Sequence, residues 1–530
     1  MAALAYITEH PLQAVVAVLF AVPVYHLLAW LYDEHRIRTI PGPILAALSD
    51  TWLGYWAAQG CRSLQVHELH RKYGTFVRIA PNHVSISDPD ALQIVYAHGN
   101  GATKSNFYDA FVSIHRGLFN TRSRVDHTRK RKIVSHIYSQ KNVLTFEGVS
   151  RMALVKLLGQ WDRLCSGGVK GISGNDAEGG WYGRDGRVWF DVLPWLNYLA
   201  FDIIGDLAFG APFGMLDAAK DTAPVAITNP GEPLKTIHIP AVQILNSRGD
   251  FAASLGVLPP WVRPLIKRIP WYAHGQQATK HLAGLAIAAV ETRLADPSAA
   301  ERGDLLSKLQ EGKDEDGEPM GKEELTAEAL THLIAGSDTT ANSSCGVTYY
   351  LARYPQTQRK LHAELDEALG LEEGVVSYET IKKLPYLDAC INESLRLHST
   401  SSVGLPRVVP EGGMEVLGKF FEEGTVLSVP SYTIHRDAGV WGEDVDEYRP
   451  ERWFEIEPAL IHKTFNPFSF GPRACVGKNL AVMELYTIIA TIFRRYEFVL
   501  EDPNQPFLTQ EGFLRKPLYT RVGMRRRNIL

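Results

Sequence analysis

The sequence predicts a mainly helical protein with small β-sheets, an α+β fold in which one large domain follows an N-terminal membrane anchor. Three observations point there. From Asp191 to about Leu369 most of the chain repeats its apolar residues with a helical period. Strand-like alternation is confined to short stretches, such as residues 76–79 and 84–86 around a turn at Pro81-Asn82. The segment at residues 14–30 (AVVAVLFAVPVYHLLAW) carries no charge over seventeen residues, close to the roughly 20 that span a bilayer. The chain has 530 residues, 45% hydrophobic and 22% charged, values that argue against wholesale disorder, a fibrous repeat and a polytopic membrane protein. A net charge of -4 offers no general attraction to nucleic acid. Five scattered cysteines without a CxxC support neither a disulfide framework nor a zinc ribbon.

In chain order, residues 1–35 are expected to form the anchor. Lys and Arg are absent before the apolar segment, whereas Arg36 and Arg38 follow it, which leaves the rest of the chain in the cytosol. Residues 36–43 end in Ile40-Pro41-Gly42-Pro43, a stiff hinge that cannot continue a helix. Residues 44–530 form the globular domain. Within it residues 66–73 have helical character, and the glycine-rich stretch 166–186 reads as a surface loop. Residues 326–350 read as one long helix interrupted at Ala335-Gly336-Ser337-Asp338-Thr339-Thr340.

The sharpest chemical signal is Phe468-Ser469-Phe470-Gly471-Pro472-Arg473-Ala474-Cys475-Val476-Gly477, followed by a helix with Leu485, Ile488, Ile489, Ile492 and Phe493 on one face. Cys475 stands just before a helix N-terminus, where the dipole and free N–H groups favour a thiolate. A lone thiolate is a poor zinc site and a good single axial ligand. Gly471 and Gly477 allow close backbone approach to a flat cofactor, Arg473 reaches toward an anionic edge, and Phe468 shields the sulfur.

The spacing F-x-x-G-x-R-x-C-x-G resembles the haem-binding loop of the cytochrome P450 superfamily. The resemblance implies the fold of that family, with a long central helix over haem b, and Cys475 as the iron's thiolate ligand. It also implies roles for other residues. Thr339 and Asp338 correspond to the alcohol–acid pair of the oxygen-binding helix. Glu393 and Arg396 of Glu393-Ser394-Leu395-Arg396, with Arg452, correspond to a structural ion network that holds the cysteine loop. Arg131, Arg407 and His435 match positions facing the haem propionates, and His127 stands where the family usually has tryptophan. Further basic residues near Arg131 could dock an acidic electron donor. No dinucleotide fingerprint or flavin segment is evident, so a separate NADPH-dependent flavoprotein reductase in the endoplasmic reticulum membrane is the implied partner, with O₂ as co-substrate. Asn342 and Asn392 match the glycosylation pattern but fall on cytosolic helices, and are expected to be unmodified.

From Ile40 onward the text, including VHELHRKYGTFVRIAPNHVSISDPDAL and HTRKRKIVSHIYSQKNV, resembles fungal benzoate para-hydroxylases of this superfamily. That resemblance implies hydroxylation of a small aromatic acid, benzoate to 4-hydroxybenzoate. Tyr108, Ser113, His115 and Arg116, or Ser401, Ser402 and Val403 with their neighbouring hydroxyls, are candidate holders of the carboxylate. A different aromatic or secondary metabolite, a haem-thiolate isomerase or dehydratase, and a haem sensor are the alternatives.

Overall fold

The computed structural model describes residues 11–227, 235–295, 304–313, 317–370 and 374–528; the first ten residues of the expected anchor lie outside them. Helix α1 (Pro11–Tyr32) is uncharged and contains Pro23. It exposes Val22, Val24, Leu27, Leu28 and Leu31, an apolar surface that the other described residues leave uncovered. The hinge that follows is tied to the domain. Ile37 and Ile40 are buried, the Arg78 N–H donates to the Pro41 carbonyl at 2.8 Å, and a Cβ on Gly42 would meet the Arg78 carbonyl oxygen at 2.2 Å.

Strands Phe76–Ala80 and His83–Ile86 pair antiparallel, as the alternation predicts. They continue into a five-stranded sheet through Val426–Ser428, Arg407–Val408 and Thr103–Lys104. In its last pair Lys104 is in register with Arg407, which places two cations on one sheet edge. Helix α2 (Arg124–Ile137) begins on Ser123, whose side chain accepts the Asp126 N–H.

The expected loop at 166–186 is instead ordered structure. A helix runs through Glu147–Val169, and Ser173–Gly174 and Trp181–Arg184 join Arg187–Asp191, Arg521–Arg526 and Tyr496–Leu500 in a second sheet. The glycines there serve packing as well as turning. A Cβ on Gly167 would meet the Trp181 ring at 2.4 Å, and one on Gly168 the Val188 backbone at 2.6 Å.

Helices α3 (Val192–Phe209), α4 (Ala241–Gly256), α5 (Pro270–Ala295), α6 (Lys322–Arg353), α7 (Pro385–Leu397) and α8 (Lys478–Arg495) build most of the remainder. The helical stretch is broken by a hairpin of Ala223–Ile227 with Lys235–Ile239. Helix α3 is itself long and apolar enough to cross a membrane, but 83% of it is buried, which marks it as a core helix. The main core lies where α3, α6 and α8 meet.

The interruption expected at 335–340 is absent, since α6 is continuous for 32 residues. Its hydroxyls are satisfied within the helix: Ser337 Oγ donates to the Leu333 carbonyl at 2.7 Å and Thr339 Oγ1 to the Ala335 carbonyl at 2.6 Å. Gly336 is explained by α3, because a Cβ there would come within 2.7 Å of Ile204 Cδ1.

Candidate active site

The cysteine loop is a closed turn leading into α8. The Cys475 N–H donates to the Phe468 carbonyl at 2.9 Å and the Ala474 N–H to the Gly471 carbonyl at 3.0 Å. Gly471 has φ of +71°, and a Cβ there would lie 1.8 Å from the Tyr96 carbonyl oxygen. Its role is therefore the approach of two chain segments, and it does not line the site as the sequence suggested. Gly477 does line it, beside the sulfur. The ring of Phe468 packs on the core and lies outside the cavity lining.

Cys475 exposes its sulfur to a partly open cavity. The surrounding protein pushes its thiol pKa up, against a Gly477 hydrogen bond and the charges of Arg131 and Lys478 that pull it down. Helix-terminal position alone therefore does not make this a thiolate. Opposite, α6 contributes Thr331, Ala335, Gly336, Thr339 and Thr340 to the wall.

One edge of the cavity is crowded with basic side chains. Lys104, His127, Arg131 and Arg473 line it, and buried Arg407 stands behind, hydrogen-bonded to the Tyr108 hydroxyl at 3.1 Å. Arg131 donates to the Ala474 carbonyl at 2.6 Å and Arg473 to the Thr121 carbonyl at 2.9 Å. Among the described residues none of these side chains is paired with a carboxylate. Burial and then neighbouring cations push His127 down to about 3 and Arg473 to about 10, and Lys104 well below its usual range. Such a cluster calls for an anionic partner. A single sulfur donor on one wall and a cationic edge together fit a haem, whose iron takes one thiolate and whose propionates are anions.

A second cavity adjoins the first; Phe119, Thr331, Ala335 and Thr339 line both. Three rings, Phe111, Phe119 and Phe513, meet in its wall with centroids 5.0–5.7 Å apart in edge-to-face geometry. Asp338 also faces this cavity, and burial pushes its carboxyl up to about 7.

The loop is braced from behind by a fully buried ion cluster. Glu393 on α7 accepts from Arg396 at 2.9 Å through both oxygens and from Arg452 Nε at 2.8 Å. Trp453 Nε1 and the Arg449 N–H also donate to it, at 3.1 and 3.0 Å. Arg396 in turn donates to the His435 carbonyl at 2.8 Å, and His435 Nε2 accepts the Asn466 N–H at 3.1 Å, two residues before Phe468.

Residues 48–524 match the Cytochrome P450 family. The chain is a cytochrome P450. It is 48% identical over 513 residues to the benzoate 4-monooxygenase of Aspergillus niger, covering 95% of both chains. A cytochrome P450 monooxygenase of Aspergillus flavus is 31% identical over 512 residues, with 92% of this chain and 93% of the relative covered. The pisatin demethylase of Fusarium vanettenii is 29% identical over 523 residues, with 95% and 94% covered. Membership makes this P450 a haem-thiolate monooxygenase and an enzyme.

Several residues singled out in the sequence lie elsewhere than expected in the P450. His435 is not at the haem cavity: it is fully buried against Trp441 and Phe465, and its ring belongs to the bracing of the ion cluster. Ser401, Ser402 and Val403 line neither cavity; Ser402 Oγ donates to the Ser399 carbonyl at 2.6 Å, a local turn that consumes its hydrogen bond. Tyr108 lines neither cavity and accepts from Arg407 Nη1, and Arg116 is ion-paired with Asp109 at 2.8 Å near the surface. Ser113 and His115 do line the second cavity. Sequence reasoning missed Arg248, Phe111, Phe119 and Phe513 there. The available signal was one arginine inside the apolar pattern of AVQILNSRGDFAASLG, a residue that α4 buries to 7% exposure.

Proposed function

We propose that this P450 hydroxylates benzoate to 4-hydroxybenzoate, using O₂ and electrons from NADPH delivered by a separate flavoprotein reductase. The observation that carries the reading is the adjoining pair of cavities: one presents a lone cysteine beneath a cationic edge, the other is walled by aromatic rings, and Thr339 belongs to both. The similarity to a protein named benzoate 4-monooxygenase supports the choice of substrate. Haem held by Cys475, with its propionates toward Arg131, Arg473, His127 and Arg407, would supply the oxygen chemistry. One oxygen atom enters the ring and the other leaves as water, consuming two electrons and two protons.

The chain's own residues orient the substrate and move protons. The rings of Phe111, Phe119 and Phe513 receive the aromatic substrate in edge contacts. Thr339 Oγ1, with its own proton directed at the Ala335 carbonyl, presents lone pairs to the site. Asp338, on the same cavity wall and holding its proton to about neutral pH, is the proton source for the site. A haem-thiolate isomerase needs neither group for oxygen chemistry, so their presence at the cavity favours the monooxygenase.

The exposed apolar face of α1, with Arg36 and Arg38 just beyond it, supports a single-pass anchor in the endoplasmic reticulum membrane and a cytosolic catalytic domain. The deciding experiment supplies reductase, NADPH and a panel of aromatic acids and identifies products by mass and retention time. Benzoate turnover to 4-hydroxybenzoate is expected; a panel that leaves benzoate untouched overturns the assignment.

A further inference from the structure

The second cavity contains a charge without an answer. Arg248 lies on α4 at 7% exposure and lines the cavity. Its Nη2 donates to the Phe111 carbonyl at 2.8 Å and to Ser113 Oγ at 3.1 Å, and its Nε approaches the same hydroxyl at 3.3 Å. All of these acceptors are neutral. Nη1 has no hydrogen-bond partner, and no carboxylate pairs with the guanidinium among the described residues. Removing a cation from water without a counter-ion is costly, and natural structures rarely tolerate it. Burial pushes Arg248 down to about 10, which still leaves it fully charged at neutral pH.

The other cation of the cavity is different. Lys516 Nζ donates to Asp250 Oδ1 at 2.9 Å, so its charge is already met by a side chain on the same wall. Asp338 is largely protonated below neutrality and contributes no strong counter-charge. Arg248 is thus the unpaired cation in a chamber whose remaining walls include three phenyl rings and Leu330 and Ile334 of α6.

We infer that Arg248 is the specificity-determining clamp for the substrate carboxylate, with Ser113 as its hydroxyl companion, and that the pair turns the far end of the aromatic ring toward Thr339. A guanidinium presents a planar fork that matches a carboxylate. Ser113 Oγ accepts from Arg248 through its lone pairs and keeps its own proton to donate to the same anion. Arg248 lines this cavity only, whereas Thr339 also lines the cysteine cavity, so a ring held by its acid group at Arg248 would turn its para carbon toward the shared wall. This inference rests on the benzoate reading for the identity of the acid and deepens it. Its chemical content is broader: any compact aromatic carboxylate should be held in this way, and its uncharged analogue should not.

The test compares benzoate with benzamide, a near-isosteric ligand without the charge, by titration calorimetry of the haem-loaded full-length protein. Unmodified protein should bind benzoate at least roughly 30-fold more tightly than benzamide, the low end of what losing one member of a buried charge pair costs. Arg248→Gln should weaken benzoate by a similar factor, change benzamide by less than about threefold, and retain its reduced carbon monoxide spectrum. Arg248→Lys should recover part of the loss. In turnover, Arg248→Gln should also lower the proportion of 4-hydroxybenzoate among the hydroxylated products. Equal affinity of the unmodified protein for the two ligands overturns the clamp even if Arg248→Gln does not fold, as does a folded Arg248→Gln that binds benzoate normally. Should benzoate not bind while another aromatic carboxylate binds in an Arg248-dependent way, the clamp stands and the benzoate reading falls. If benzoate binds and is hydroxylated independently of Arg248, the reverse holds.

Discussion

Glu393→Gln changes one oxygen to an amide nitrogen at the centre of the buried ion cluster, with almost no change in volume. Five N–H groups donate to the Glu393 carboxylate: two from Arg396, one from Arg452, the Trp453 indole and the Arg449 backbone. Oε1 receives three of these and Oε2 two, so glutamine loses at least two and turns a donor toward donors. The charge is lost as well. Arg452 keeps Asp444 at 3.0 Å, but Arg396 retains only backbone carbonyls. Removing one member of a buried pair costs about 3–5 kcal/mol. The surviving contact of Arg452 places the expected loss near the lower end, about 3 kcal/mol. Urea unfolding followed by tryptophan fluorescence is well suited, since Trp453 touches Glu393 and Trp441 lies 5.5 Å from the Arg396 guanidinium. The carbon monoxide spectrum should weaken in parallel, because the cluster holds His435 and, through Asn466, the start of the cysteine loop. A Glu393→Gln protein within about 1 kcal/mol of the parent would falsify the bracing role, since that is the worth of one ordinary hydrogen bond.

Gly471→Ala must move the Tyr96 carbonyl or the loop itself, because its new Cβ would sit 1.8 Å from that oxygen; the purified variant should retain much less haem, and a normal haem-to-protein ratio refutes this. Thr339→Ala should release several-fold more hydrogen peroxide per NADPH consumed while leaving benzoate affinity nearly unchanged, and unaltered coupling counts against the proton role. Asp338 has a folded pKa raised to about 7 from 3.8. The folded state therefore holds a proton that the unfolded state releases, and stability falls by up to about 1.4 kcal/mol per pH unit from pH ~4 to ~7, then levels off. Unfolding curves of Asp338→Asn should lack that component; identical pH profiles for parent and variant would show that Asp338 is not held protonated.

The parts legible in the sequence were those whose chemistry is local. The cysteine loop, the i,i+3 pair of Glu393 and Arg396 and the strand pair 76–86 are each encoded within a few residues, and each sits where its spacing implies. What escaped was assembled from distance. Arg248 gains its meaning from Phe111 and Ser113 more than 130 residues away, and Phe513 meets Phe111 and Phe119 from the far end of the chain. The glycines of 166–186 looked like a loop because composition cannot show that Gly167 and Gly168 are flattened under Trp181 and Val188. Likewise Gly336 suggested a break in α6, when the tertiary demand was room for Ile204. His435 was misplaced because a histidine beside an arginine carries no information about which way it faces.

Thr339, Ala335 and Thr331 belong to two rooms at once, because α6 is the partition between them. Any change on that stripe made to admit a new guest therefore also disturbs the handling of oxygen next door. Diversification toward other aromatics is channelled to walls that face one room only: the turn around Phe111 and Ser113, the inner side of α4, and the segment near Phe513. Those surfaces can drift while the partition stays still.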